Sequence, residues 1–573
     1  MQFATKHISL HKITEFVQSF DMEQGFLQLI EQSIKKNWDL DALTDYNGAT
    51  LQYKDVARKI EKVHIFLEEA GVKKGDKIAI CGRNSSHWGV TFLGILSYGA
   101  IVVPILHEFK ADNIHHIVNH SDARMLYVGD RVWEDLNEQE MPRLEGIMLM
   151  TDFSVLVARN KKLLHAREHL NEIFGKKYPK NFRPEHVQYY KEQSPDELAM
   201  INYTSGTTSS SKGVMIPYRA LWSNMAFAES VLTLNPGDKV VSILPMAHTF
   251  GMSFEFLYEF VTGCHVYFLT RVPSPKIIAQ AFAEVKPRIV IAVPLVVEKI
   301  IKKKVLPQLE KNIWAQLMLN LPVLSDIVKK RICEQVTAGF GGNFIEVIIG
   351  GAPLNKEVES FLRSNNFKNT VGYGMTECAP IISYEGWDKY KPYSCGKAAP
   401  RMEIKIDSHD PHNVPGEILV KGMNVMLGYY KNPDATKAVM TKDGWLHTGD
   451  LGVLDNEGNL TIRGRSKNMI LGAGGQNIYP EEIEGQLNSM PYVSESIVIQ
   501  QDDKLVGLVY PDFDLANKEG IVNGKMATVM EENRVQLNQK LPGYCQLNKI
   551  KIFYEEFEKT PKKSIKRYLY QNA

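Results

Sequence analysis

A chain of 573 residues is too long for one small hydrophobic core, and at about 150 residues per domain it divides into two to four units. Its 44% hydrophobic and 23% charged residues are ordinary for a globular protein, and 67 basic against 66 acidic residues leave a formal charge of +1. No global attraction for nucleic acid follows from that balance, and no nucleic-acid partner is expected.

Cys81, Cys264, Cys333, Cys378, Cys395 and Cys545 are scattered, with no C-x-x-C pair and no His/Cys cluster of zinc spacing. Free thiols in a cytoplasmic protein are the simplest expectation. The start, Met1 to His7, lacks a basic-then-apolar signal pattern. No run reaches the ~20 apolar residues that span a bilayer. The expected location is cytoplasmic, with peripheral membrane contact as a second reading.

From about residue 50, helical patterns alternate with short apolar strands. A helix over Val56 to Glu69 leads to buried strands at Lys77 to Cys81, Gly99 to Pro104 and Met125 to Val128. A further buried strand covers Arg288 to Pro294, with a helix from about Leu295. Strands alternating with helices predict α/β layers with largely parallel sheets. After about residue 385 the texture changes. Glu403 to Asp407, Gly416 to Gly422 and Asn459 to Arg463 alternate apolar with polar between Gly, Pro, Asp and Asn turns, which predicts a small β-rich subdomain. From near Lys467 the order is helix (Glu481 to Asn488), strand (Glu495 to Ile499), strand (Lys504 to Tyr510), helix and basic tail. The expected class is α/β. A large N-terminal domain (1–465) of layered α/β subdomains carries a β-rich subdomain at about 385–465. A small mobile α+β C-terminal domain (466–573) follows.

The run from Tyr203 to Gly213 holds seven Ser/Thr hydroxyls, two glycines and Lys212. Glycine lets the backbone curl so that successive N–H groups converge on an anion. Hydroxyls add rotatable donors and the lysine a point charge suited to phosphate. Leu198 to Ile201 before it and Val214 to Ile216 after it read as strands, so the unit is strand, loop, strand. It points to ATP; a solvent-exposed Ser/Thr turn is the alternative.

Four more segments follow in order: Gly350 to Leu354, Val371 to Glu377, Gly444 to Asp450, and Arg463-Gly-Arg465-Ser-Lys467 leading into Gly472 to Glu484. Together with the hydroxyl-rich loop they resemble, over nearly the whole chain, the adenylate-forming superfamily of acyl-CoA synthetases, peptide-synthetase adenylation domains and luciferases. Val293 to Lys299, and Gly350 to Leu354 with Glu357 to Phe361, resemble the long-chain fatty acid–CoA ligases within it.

The resemblance implies ATP- and Mg²⁺-dependent activation of a fatty acid through acyl-AMP, then transfer to coenzyme A. It implies that Thr204, Ser205, Gly206, Thr207, Thr208 and Lys212 hold the β- and γ-phosphates. Thr376 contacts the α-phosphate, and Glu377 ligates Mg²⁺. Gly351, Ala352, Pro353 and Tyr373 line the adenine slot, with Gly372 and Gly374 beside the tyrosine. Asp450 accepts from the ribose hydroxyls, with Arg465 nearby. His248, in Leu244-Pro-Met-Ala-His248, sits where carboxylate and adenylate meet, and Lys467 is the hinge about which the small domain rotates. Plainer readings stand beside these: a surface acid for Glu377, a turn cap for Asp450, a satisfied core histidine for His248, a core aromatic for Tyr373 and a loop lysine for Lys467. His447 is assigned to structure.

Three departures stand out. Ser209 and Ser211 occupy positions where the family usually carries glycine and proline. Ser564, in Lys559-Thr-Pro-Lys-Lys563-Ser564-Ile-Lys566-Arg567, aligns with the family's adenylation lysine. Lys563 after a one-residue shift, or Lys566, is the candidate replacement, and a solvated charge run is the alternative for that tail. Val296 to Lys304 mixes apolar and basic residues, either as a packed helix with a charged outer face or as contact with an anionic lipid surface. Two rival functions share these residues: an acyl-AMP ligase loading an acyl carrier protein, and a catalytically weak adenylate-binding regulator. The sequence carries no marker of oligomeric state.

Overall fold

The structure, a computed structural model, describes residues 25–571 apart from 205–210, 272–273, 302–321, 473–475, 503, 522 and 561–563. Its largest sheet has eight strands. Their order is Gly428–Tyr429, Gly213–Pro217, Leu198–Tyr203, Ile101–Ile105, Lys77–Cys81, Met125–Val128, Gly146–Leu149 and Val155–Ala158. The central strands pair in parallel and the outer ones antiparallel. Ile78 to Cys81 and Met125 to Val128 are buried on both faces, which is why these strands read as continuous apolar runs.

A four-stranded sheet joins Lys239–Ser242, His265–Phe268, Asp41–Asp45 and Thr50–Gln52. A parallel trio, Val290–Ala292, Val347–Ile349 and Asn369–Val371, continues into a small antiparallel sheet that begins at Tyr373–Gly374. The expected β-rich segment forms an antiparallel sheet of Met402–Asp407, Gly416–Gly422, Leu446–Leu454 and Leu460–Arg465. The last sheet is Val493–Gln501, Lys504–Pro511 and Leu547–Ile552.

One contiguous core runs from Phe26 to Leu460. Separate clusters gather Ile478 to Leu547 on one side of the last sheet and Ile497, Ile499, Val506, Leu508 and Phe557 on the other. This is the layered α/β arrangement with a small C-terminal α+β unit.

Element ends differ from expectation for local reasons. The helix expected from Val56 starts at Tyr53, where Gln52 and Asp55 form a capping box. The strand expected from Gly99 starts at Ile101, because Gly99 (φ 86°) caps the helix Ser86–Tyr98 in the left-handed conformation. The helix Pro294–Ile300 turns Val297 and Ile300 into the core, with Ile301 after it, and exposes Leu295 and Lys299. That arrangement suits the packed-helix reading of this segment, and 302–304 lie outside the described residues. All six cysteines are free. Among the described residues no helix is long and apolar enough to cross a membrane.

Candidate functional site

The strands Leu198–Tyr203 and Gly213–Pro217 pair antiparallel up to Tyr203 and Gly213. Beyond them the Thr204 N–H donates to the Lys212 carbonyl (3.0 Å) and the Lys212 N–H to Thr204 Oγ1 (3.4 Å). These bonds close the mouth of the hydroxyl-rich loop, with Thr204 and Lys212 half-buried on either side. Ser205, Gly206, Thr207 and Thr208 lie outside the described residues, as does Ser209. The Lys212 Nζ sits 4.7 Å from the ring centre of Tyr429.

The parallel strands Val347–Ile349 and Asn369–Val371 aim their carboxyl ends at the same region, where open α/β sheets bind ligands. Gly350 follows the first strand and Gly372 the second. A Cβ on Gly350 would lie 3.0 Å from the Phe250 ring, and one on Gly374 would lie 2.3 Å from the Pro380 carbonyl oxygen. A side chain is excluded at Gly374, and one at Gly350 fits only if the Phe250 ring gives way. Gly351, Ala352 and Pro353 are exposed, with Gly351 at φ 86°.

Tyr373 is buried and its hydroxyl donates to Asp450 Oδ2 at 2.6 Å. Arg465 Nε lies 2.9 Å from the other oxygen, Oδ1, and Asp450 and Arg465 face each other in strand register. Burial raises the Asp450 carboxyl above the usual range, opposed by Arg465 and the tyrosine hydrogen bond. Burial first, then Asp450, pushes the Tyr373 phenol well up, so it stays a donor.

Thr376 is buried in the turn Thr376–Cys378, and Glu377 beside it is half-buried. Glu377 Oε1 accepts from the Tyr429 hydroxyl at 2.9 Å.

His248 ends a loop clamped from three sides. Glu255 Oε2 accepts from the Ile243 N–H (3.0 Å) and the Leu244 N–H (2.8 Å). Asn84 donates to the Leu244 carbonyl (2.6 Å) and accepts from the Met246 N–H (2.9 Å). Asn202 donates to the Ala247 carbonyl (2.8 Å). His248 Nδ1 accepts from the Phe250 N–H at 3.2 Å, which puts the proton of the neutral ring on Nε2. Glu255 lies in the π-helical turn Ser253–Leu257, whose Ser253 hydroxyl donates to the Ala379 carbonyl (3.1 Å). The turn therefore braces both the His248 loop and the chain just past Glu377.

A cavity of about 50 Å³ opens between these parts. His248, Gly350, Gly351, Gly372, Tyr373 and Gly374 line one part, and Phe227, Val231, Phe254, Ile291 and Tyr384 supply apolar walls.

Lys467 is exposed in the turn Ser466–Asn468, directly after the strand Leu460–Arg465. Lys563 lies outside the described residues. Lys566 is paired with Glu558 (3.1 Å), and the Ser564 carbonyl accepts from the Thr560 N–H (2.7 Å). His447 Nδ1 lies 2.9 Å from Glu417 Oε2, in keeping with a structural role. Sequence reasoning missed Tyr429, Glu255, Asn84 and Asn202. Only Glu255 carried a local signal, as a carboxylate four residues before Glu259 inside an apolar run.

Comparison with known proteins places this site in context. Residues 30–430 match the profile of the AMP-binding enzyme family. A long-chain-fatty-acid–CoA ligase from Escherichia coli O157:H7 is 29% identical over 499 residues, covering 83% of this chain and 82% of the ligase. The ATP-bound structure of MatB from Rhodopseudomonas palustris superposes with a TM-score of 0.72 at 20% identity, covering 98% of this chain and 99% of that one. The o-succinylbenzoate coenzyme A synthetase MenE from Bacillus subtilis, in complex with ATP and magnesium ion, gives 0.71 at 20% identity, over 94% and 98%. With the profile spanning more than half its length, the chain belongs to the AMP-binding enzyme family.

Proposed function

We propose that the protein is an AMP-forming acid–thiol ligase that activates a fatty acid with ATP and Mg²⁺ and passes the acyl group to coenzyme A. One observation carries this reading. His248, the glycine edges of the expected adenine slot and a set of apolar walls share a single cavity. The cavity marks where a nucleotide at the glycine edges and an acyl tail among the apolar walls would meet once the aromatic walls turn aside, each in surroundings of its own polarity.

Lys212, the loop hydroxyls and backbone N–H groups would offset the charge of the triphosphate, and Thr376 the charge at the α-phosphate. Glu377 suits Mg²⁺. A single half-buried carboxylate, completed by substrate phosphates, matches how that ion is usually bound. Among the described residues no group of three or more His, Cys, Asp or Glu forms an all-protein metal cage. Bound Mg²⁺ would neutralise phosphate charge. Asp450 would accept from the ribose hydroxyls, and Gly351 to Pro353 with Tyr373 would flank the adenine.

The acyl tail would lie among Phe227, Val231 and Phe254 with its carboxylate toward His248, whose Nε2–H is a donor. A carboxylate oxygen attacks the α-phosphorus, and the bond to pyrophosphate breaks. Coenzyme A then attacks the acyl carbon through sulfur, AMP departs, and the thiol proton passes to solvent. Lys467, exposed between the antiparallel sheet and the last unit, would absorb the backbone change of a rotation between the two steps. The domain limits 1–465 and 466–573 belong to this proposal.

Offering coenzyme A and an acyl carrier protein separately, with ATP and palmitate, tests it. Mass spectrometry should find acyl-CoA and no acylated carrier protein. The reverse would establish the carrier-protein ligase. ATP binding with no adenylate or thioester would indicate a regulator.

A further inference from the structure

We infer that Tyr429 is a positioning residue for the metal and phosphate groups, its hydroxyl aiming the Glu377 carboxylate while its ring carries the Lys212 ammonium. The inference rests on the reading of the site just given and adds a residue to it.

The backbone leaves Tyr429 no freedom to slide. The two-residue strand Gly428–Tyr429 extends the eight-stranded sheet beside Gly213–Pro217, with Tyr429 opposite Val214. The Leu427 N–H donates to the Met215 carbonyl (2.9 Å) and the Tyr430 N–H to the Gly213 carbonyl (2.8 Å). The Tyr429 N–H donates to Thr436 Oγ1 at 2.9 Å. Gly428 adopts φ 139°, and a Cβ there would meet Thr436 Cγ2 at 2.8 Å, so only glycine fits before the tyrosine. Tyr429 is therefore registered two residues from Lys212 along the neighbouring strand, at the mouth of the phosphate loop.

From that place one side chain touches two opposite charges that stand 165 positions apart in the chain. The hydroxyl donates to Glu377 Oε1 at 2.9 Å. A hydrogen bond on one carboxylate oxygen fixes the carboxylate plane and leaves the second oxygen as a ligand for a hard cation. On the ring face, Lys212 Nζ lies 4.7 Å from the centroid, within cation–π range. Among the described residues no carboxylate lies within ion-pair distance of Lys212. The ring thus holds the ammonium close to Glu377 without pairing the two. An ion pair between them would quench both the metal ligand and the phosphate ligand.

The test is calorimetric binding of α,β-methylene-ATP, which cannot transfer its adenylyl group, to the full chain in EDTA and in MgCl₂. Tyr429→Phe should leave affinity in EDTA unchanged and reduce the gain from Mg²⁺ about tenfold, the usual worth of a hydrogen bond to a charged group. In a Glu377→Gln background the same change should have no effect, because the charge it aims is gone. Tyr429→Leu should bind about threefold more weakly in EDTA than Tyr429→Phe, having lost the ring under Lys212. An undiminished Mg²⁺ gain in Tyr429→Phe would overturn the hydroxyl's role, as would equal weakening in the Glu377→Gln background. Equal affinity of the Phe and Leu variants would overturn the ring's role. A wild-type chain that bound no nucleotide would overturn the reading of the site itself, an outcome distinct from all of these.

Discussion

The hydroxyl of Tyr373 donates to Asp450 Oδ2 at 2.6 Å, joining the end of the parallel three-stranded region to the antiparallel sheet across 77 residues. Arg465 holds the other oxygen of the same carboxylate. Asp450 is 5% exposed, so this pair is what makes its burial tolerable. Ribose hydroxyls reaching Asp450 would join an acceptor already fixed in orientation.

Removing the phenol oxygen should therefore show twice. Tyr373→Phe should lower the unfolding free energy by about 1–3 kcal/mol, as expected for a buried hydrogen bond to a charged group. It should weaken ATP binding less than Asp450→Ala does. Urea denaturation and calorimetry measure the two effects. An unchanged denaturation midpoint would contradict the linkage.

Lys212 and Glu377 are half-buried and contribute little packing. Lys212→Ala or Glu377→Ala should slow adenylation by a factor on the order of 10²–10³, as loss of one preorganised charge-stabilising group does. The melting temperature should move little. A large drop in melting temperature with a proportionate loss of rate would assign both residues to structure instead.

Glu259 is fully buried, and among the described residues neither carboxylate oxygen finds a hydrogen-bond partner. Burial raises its pKa from 4.5 to about 8. The folded state thus keeps a proton that the unfolded chain releases at lower pH. Its contribution to stability is complete below about pH 4.5 and is lost as pH rises toward about 8. Denaturation midpoints of the wild type should fall across that window. Glu259→Gln should flatten the fall, leaving the part owed to the other carboxyls that burial raises, among them Glu255, Asp450 and Glu484. Parallel profiles for wild type and variant would show that Glu259 is not protonated in the fold.

A cavity of about 50 Å³ holds only a few water-sized groups. Its inner wall is an aromatic cluster, with Phe227 edge-on to Phe254 (6.0 Å) and to Tyr384 (5.5 Å). A long acyl chain needs these rings to turn. Phe254→Leu, which keeps the site apolar, should raise pyrophosphate release with longer acids relative to shorter ones. A screen across acids of graded length reads this ratio. An unchanged ratio would place the tail elsewhere.

Much of the fold was legible because its signals are local. Met125–Val128 and Gly416–Gly422 have the limits their apolar patterns predict. His248, Gly350, Gly351, Gly372, Tyr373 and Gly374 line one cavity, and the glycines among them were legible because short glycine motifs follow apolar strands. What escaped was held by distant partners. Tyr429 gains its place from a two-residue strand pairing with Gly213–Pro217, and no window around Gly428 announces that pairing. Asn84 and Asn202 look like ordinary turn and strand residues until the loop before His248 lies against them. The outer strands of the eight-stranded sheet come from residues 155–158 and 428–429, an order no local pattern encodes.

The proposed reaction at this site begins with an organic acid displacing pyrophosphate from ATP. Exchange of labelled pyrophosphate into ATP by the purified protein measures that step alone. Exchange should require both Mg²⁺ and a fatty acid and should collapse in Lys212→Ala. Exchange absent with every acid tested, or undiminished without any acid, would contradict the proposed reaction.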